Sequence, residues 1–308
     1  MNAVVFAYHN VGVRCLKTLL ARGMRVDLVV THRDDPGETQ WFERVADVAA
    51  AEGIPLAYVD DAVDAALVAR VAALHPDYVF SFYFRRMLPA EVLGAARIAA
   101  LNMHGSLLPH YRGRAPVNWA VLHGEAETGA TLHVMTVKPD AGDIVAQQAV
   151  PILPDDTAKD VFDKVTVAAE IALWTVLPQL LAGEVPRQPN DLTRGSYFGG
   201  RRPEDGRIDW SWPAQQIHDL VRAVAPPYPG AFGDLPGGGG RLRLLGTRRA
   251  FDRAPRHAAP TLYRDGEAAF VDCADGRVLR ITAWDGDWDG IATVALTGAT
   301  TDRDRRTA

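Results

Sequence analysis

The sequence predicts an α/β fold: a Rossmann-like, mostly parallel sheet with helices on both faces, followed by a small β-rich, OB-like domain. Three observations carry this. The first half of the chain alternates short apolar runs with longer amphipathic ones, the pattern of βαβ units. Its first two apolar runs are almost uninterrupted, as strands covered on both faces require. From about Pro186 the texture changes to frequent Pro, Gly and Arg with short strand-like runs.

Taken in order, Val4–Tyr8, Val26–Val30, Tyr78–Phe82 and Ala99–Met103 read as strands, with helical patterns at Gly12–Ala21, Glu38–Glu52 and Ala62–Leu74. Thr131–Val137 and Ile144–Val150 flank the turn Lys138-Pro139-Asp140-Ala141-Gly142 and read as paired strands. Asp155–Leu181 is a long helical pattern, with Thr157 as N-cap and Gly183 as stop. Val161, Phe162, Val165, Ala169, Leu173, Val176 and Leu180 form its apolar stripe, which makes it a packing helix. Beyond it, Leu242–Leu245, Ala268–Asp272 and Val278–Thr282 are strand-like. One helical stretch, Pro213–Val224, interrupts this part, with Pro213 suited to a first-turn position. Pro236–Gly240 is a glycine loop and lacks the Gly-Lys-Ser/Thr that a P-loop needs. The expected division is a catalytic domain over 1–200, a β-rich domain over 201–300 and a polar tail over 301–308.

The 308 residues carry 33 Lys and Arg against 38 Asp and Glu, a net charge of −5. That balance disfavours nucleic acid as a partner, because phosphate-backbone binding comes with a basic surface. Cys15 and Cys273 make no disulfide framework and read as buried reduced thiols. The N-terminus has neither the basic region nor the cleavage site of a signal peptide, and no apolar run approaches the roughly 18 residues of a membrane span. The expected location is cytoplasmic, without a membrane partner.

Several chemistries are missing by motif. After the first strand, Ala7-Tyr8-His9-Asn10-Val11-Gly12 lacks the G-x-G-x-x-G of a dinucleotide site, and Gly105-Ser106-Leu107 is no nucleophile elbow. His104 and His110, six apart across a proline loop, do not have zinc-ligand spacing, so no metal is expected. The dense region is Leu101 to Pro116. Asn102 and His104 are two apart on a strand and project to one face, where an amide can donate to an oxyanion and an imidazole can move a proton. Spacing alone equally allows Asn102 as a turn cap, His104 as a structural histidine, Arg112 and Arg114 as solvated loop charges and Asp140 as a turn former.

Asn102-x-His104, the loop Ser106-Leu107-Leu108-Pro109-x-Tyr111-Arg112-Gly113-Arg114-x-Pro116 and Lys138-x-Asp140-Ala141-Gly142 resemble the folate-dependent formyltransferases. Those enzymes move a formyl group from 10-formyltetrahydrofolate to an amine. Phe6-Ala7-Tyr8-His9, Thr31-His32-x-Asp34-x-Pro36-Gly37-Glu38, Phe80-Ser81-Phe82-Tyr83 and Gly124–His133 are similar to members that formylate UDP-4-amino-4-deoxy-L-arabinose, in the lipid A modification behind polymyxin resistance. The resemblance covers about residues 3–235 and is loose beyond.

The resemblance implies that Asn102 stabilises the oxyanion as the amine attacks the formyl carbon. It implies that His104 shuttles the proton and that Asp140 orients His104 and favours its protonated form. Arg86, Met87 and Leu88, with Thr136, Val137, Lys138 and Pro139, match the segments that hold the folate, and Arg114 matches a ligand-binding arginine. The partners implied are a nucleotide-sugar and the folate co-substrate. Some relatives continue into an NAD-dependent decarboxylating domain. If this chain is complete, a separate dehydrogenase partner is implied; if it is cut, its tail is a severed linker. Methionyl-tRNA formyltransferases share the triad but carry a basic insertion after the second strand. Here that place reads His32-Arg33-Asp34-Asp35-Pro36-Gly37-Glu38, more acid than base. A non-catalytic folate-binding module is the other alternative, and intact Asn102, His104 and Asp140 argue against it.

Overall fold

The computed structural model describes residues 1–34, 37, 40–60, 62–236, 240–286 and 293–296. Asp35, Pro36 and Glu38 of the acidic stretch, Gly237–Gly239 of the glycine loop and the tail from Thr297 lie outside the described residues. The chain forms two compact units. One comprises Met1–Val117, Glu127–Pro151 and Phe162–Gly200; the other comprises Asn118–Ala126, Ile152–Val161 and Arg201–Ala308.

In the first unit, β1 (Asn2–Ala7), α1 (His9–Ala21), β2 (Arg25–Thr31), α2 (Val45–Ala51), β3 (Leu56–Tyr58), α3 (Ala65–Ala73), β4 (Tyr78–Phe82), α4 (Ala90–Gly94) and β5 (Ala99–His104) alternate as expected. After β6 (Arg112–Gly113) and α5 (Pro116–Leu122) come the hairpin strands β7 (Glu127–Val134) and β8 (Ile144–Pro151). The sheet order is β3-β2-β1-β4-β5-β7-β8. The first five strands are parallel, while β7 and β8 run antiparallel to their neighbours. Alternate residues supply each face: Val4, Phe6, Leu28, Val30, Val79 and Ala100 share one cluster with Leu67 and Val71 of α3 and Val92 of α4. Every residue of β1 is buried, which is why its apolar run is uninterrupted.

Three departures from the sequence reading have physical causes. Of the helix expected over Glu38–Glu52, the described residues are helical over Val45–Ala51. Trp41 and Phe42 leave the helix, with their rings 4.5 and 4.1 Å from that of His9. β3 and α4 had no sequence counterpart, because three and five residues are too short for a periodic signal. The long helix α6 (Ala158–Leu181) is long and apolar enough to cross a membrane by length and composition, with half of that stretch buried inside the protein. No such span was read from the sequence, because its charges interrupt every apolar run. Thr157 and Asp160 cap it reciprocally: the Asp160 N–H donates to Thr157 Oγ1 at 3.2 Å, and the Thr157 N–H donates to Asp160 Oδ2 at 2.9 Å. Tyr197–Phe198, β9, then pairs in parallel with β6 as a two-stranded ribbon.

In the second unit, α7 (Ala214–Ala223) packs on β11 (Arg241–Arg249) and β14 (Val278–Asp285). With β10 (Ala231–Asp234), β12 (Thr261–Asp265), β13 (Ala268–Asp272) and β15 (Thr293–Ala295) these strands form an antiparallel sheet, ordered β10-β11-β14-β13-β12-β15. Its core joins Ile217, Leu220 and Val221 of α7 to Leu242, Leu244, Leu262, Val271 and Leu279 of the sheet. Pro213 stands at the N-cap, one place before the first turn. Both cysteines are buried, and burial pushes the Cys15 thiol far up and that of Cys273 up to about 12.

Candidate active site

The pairing of β5 with β7 assembles the site. Its register sets Asn102 opposite His133 and His104 opposite Thr131, at the carboxyl end of β5. Asn102 Nδ2 lies 3.0 Å from His133 Nε2, while His133 Nδ1 lies 3.0 Å from the Val134 carbonyl oxygen. A carbonyl only accepts, so the ring proton is assigned to Nδ1 and Nε2 accepts from the amide. One amide N–H of Asn102 is thereby used and its second remains for another acceptor.

The same logic fixes His104. Its Nε2 donates to the Tyr111 carbonyl oxygen at 2.8 Å, which leaves the lone pair on Nδ1. That nitrogen lies 3.6 Å from Asp140 Oδ1, which is also 3.4 Å from His133 Nε2. Asp140 Oδ2 accepts the Gly113 N–H at 2.8 Å. Asp140 is in the left-handed region, φ +49°, and Asn190 Nδ2 secures its turn by donating to the Asp140 and Gly142 carbonyls at 3.1 and 3.2 Å. A Cβ at Gly142 would collide with the Val134 carbonyl, so only glycine lets this turn fold back on β7.

Burial pushes His104 below the ordinary histidine range, although Asp140 and the Tyr111 carbonyl pull the other way. Asp140 thus acts in the expected direction, toward the protonated form, but desolvation outweighs the carboxylate and the net shift leaves the resting imidazole neutral. For Asp140, burial alone would raise the pKa, but the net direction is downward, and the Gly113 N–H donating to Oδ2 is among the groups that hold the carboxyl well below the usual range. The arrangement is a neutral base whose open nitrogen faces a carboxylate that steadies an arriving proton.

A sign follows for pH. Activity that needs neutral His104 is lost as pH falls through its folded pKa, so the acidic limb of kcat/KM lies below about 6.5, the ordinary value for histidine. Asp140→Asn removes a group that raises this pKa and is expected to move the limb further down, alongside a lower maximum rate. A pH–rate profile checks it, and a limb that moves up overturns the assignment.

The other candidate residues lie apart from this triangle. Arg86, Met87 and Leu88 follow β4, and Thr136–Pro139 join β7 to Asp140. Leu88 and Met135 pack in one core cluster, which brings the two segments to the same face of the sheet. Met87 and Val137, 64% and 81% exposed, offer apolar surface there. Arg86 donates to the Asp60 carbonyl, and Thr136 Oγ1 donates to the carbonyl of exposed Lys138 at 2.8 Å. Pro139 is half-buried next to Asp140. Arg114 sits instead beside the β6–β9 ribbon, its N–H donating to the Phe198 carbonyl.

Residues that sequence reasoning gave no role are His133, Tyr111, Gly113, Asn190 and His32. His32 donates from Nδ1 to the Val59 carbonyl at 2.8 Å, accepts the Arg85 N–H at Nε2 at 3.0 Å and stacks on Phe84. It therefore sets the start of the 85–88 segment, and burial keeps it neutral. Only knowledge of the strand register would have singled out His133.

Gly113 has φ +97°, and a Cβ there would collide with the Phe198 carbonyl oxygen. Gly113→Ala is expected to cost at least about 1–3 kcal/mol of stability and to reduce activity by displacing the N–H from Asp140. Urea unfolding and a rate assay check both effects.

The family model described as formyl transferase matches residues 1–177, and the one described as formyl transferase, C-terminal domain, matches 201–285. Solved structures share the fold. The N-formyltransferase from Helicobacter canadensis, in complex with folinic acid and dTDP-3-aminofucose, has a TM-score of 0.73 at 19% identity, over 91% of this chain and 98% of that one. WlaRD, a sugar 3N-formyl transferase solved with dTDP and 5-N-formyl-THF, has 0.71 at 17%, over 92% and 97%. HypX from Aquifex aeolicus, in complex with tetrahydrofolic acid, has 0.64 at 20%, over 93% and 44%.

Proposed function

Since the chain belongs to the formyl transferase family and is a formyl-transferring enzyme, we propose that it carries a formyl group from 10-formyltetrahydrofolate to the amine of a nucleotide-linked amino sugar. UDP-4-amino-4-deoxy-L-arabinose is the acceptor proposed. The observation that carries the reading is the Asn102–His104–Asp140 cluster, with a donor left over on the amide and an open lone pair on the imidazole. The sequence motifs around Tyr8, His32 and His133 support the arabinose acceptor. The folate and dTDP-sugar named for two structures of the same fold support the substrate classes.

The exposed apolar Met87 and Val137, with main-chain groups beside them, fit a flat heteroaromatic ring, so the Arg86–Leu88 and Thr136–Pro139 segments would hold the folate. That co-substrate supplies an electrophilic formyl carbon on nitrogen. Asn102 points its second N–H at the formyl oxygen as charge gathers there. His104 takes the amine proton on Nδ1 as the new C–N bond forms, Asp140 compensates the imidazolium charge, and the proton goes to the folate nitrogen as its bond to the formyl carbon breaks.

A formyl-transfer assay read by product mass tests this, offering UDP-4-amino-4-deoxy-L-arabinose, a dTDP-linked 3-amino sugar and methionyl-tRNA in parallel. Preference for the arabinose amine supports the full reading. Preference for the dTDP sugar keeps the class and changes the acceptor, and formylation of the tRNA overturns the sugar reading.

A further inference from the structure

The β6–β9 ribbon carries a charge with no counterpart. Among the described residues, no carboxylate lies within ion-pair distance of Arg112 or Arg114. Arg112 is half-buried and its Nε is sealed from solvent with no hydrogen-bond partner. Sealed donors on a cation are costly, so such a group points to a ligand that completes it. Its guanidinium lies 6.0 Å from the ring of Tyr197, which is 58% exposed although aromatic.

The ribbon is tied to the catalytic residues at two points and braced by a ring contact of its own. Tyr111, directly before Arg112, accepts from His104; Gly113, directly after it, donates to Asp140; and the Tyr111 ring stacks on Phe198 at 5.3 Å. Arg112 is therefore one residue along the chain from each of the two main-chain groups that meet His104 and Asp140.

We propose that Arg112 and Tyr197 seat the nucleoside diphosphate of the acceptor, Arg112 forking onto the diphosphate oxygens and the Tyr197 ring carrying the base. A guanidinium suits this because its planar fork pairs with phosphate oxygens two at a time. An exposed tyrosine ring suits a base because stacking needs only a π-face. The inference rests on the nucleotide-sugar reading above and adds the place where the nucleotide binds.

The test is calorimetric binding of UDP and of inorganic pyrophosphate to the full chain, with steady-state kinetics. In Arg112→Gln, UDP affinity is expected to fall at least about tenfold, with the loss falling on acceptor KM rather than kcat and with the folate KM unmoved. Arg112→Lys recovers part of the affinity. Tyr197→Ala weakens UDP but not pyrophosphate, which has no base to stack. A wild-type protein that uses nucleotide sugars while Arg112→Gln binds UDP unchanged, or shifts the folate KM instead, overturns this assignment alone. A wild-type protein that binds neither UDP nor dTDP overturns the reading beneath it.

Discussion

Replacing His104 by alanine is expected to lower kcat for formyl transfer by about 10²–10⁴-fold while folate binding stays close to that of the wild type. The ring makes one donated contact, to the Tyr111 carbonyl, and keeps its other nitrogen open toward Asp140. Removing it takes away the proton acceptor and leaves the hydrogen bonds of Arg86 and Thr136, to the Asp60 and Lys138 carbonyls, untouched. Rapid-quench turnover with the formyl donor, beside equilibrium binding of folinic acid, separates the two effects. Transfer within tenfold of wild type would sink the assignment.

Replacing Asn102 by alanine is expected to cost about 10²–10³-fold in kcat, with little change in either KM. The amide donates one N–H to His133, and in the mechanism proposed above the other meets the formyl oxygen, where charge develops only during reaction. An interaction made in the transition state and absent from the ground state appears in kcat. Asn102→Ala also strips the His133 Nε2 of its donor, so His133→Ala serves as the control. It removes the support and keeps the carboxamide, and should cost roughly tenfold by loosening the amide's aim, since mis-set geometry lowers rate without removing the group.

Much of this was legible in the sequence. The near-continuous apolar strands from Val4 and Val26 announced a doubly covered parallel sheet, and the two-residue spacing of Asn102 and His104 announced a shared face. The fold class drawn from them, parallel α/β followed by a β-rich part, is the one observed. What stayed hidden depends on register and on desolvation. His133 meets Asn102 only because β7 pairs antiparallel in one particular register, which no local pattern encodes. The neutral state of His104 follows from burial, and a sequence that places a carboxylate nearby suggests the opposite charge. The late start of α2 has a similar origin: Trp41 and Phe42 satisfy a helical period but find their packing on His9 instead.

The two cysteines have a practical consequence for following this enzyme at work. With Cys15 and Cys273 both sealed in cores and their thiols held protonated, the native chain offers maleimide and iodoacetamide reagents almost no thiolate at neutral pH. A single cysteine introduced at an exposed site such as Leu153 would then take a fluorophore alone, without first stripping the native thiols from the protein.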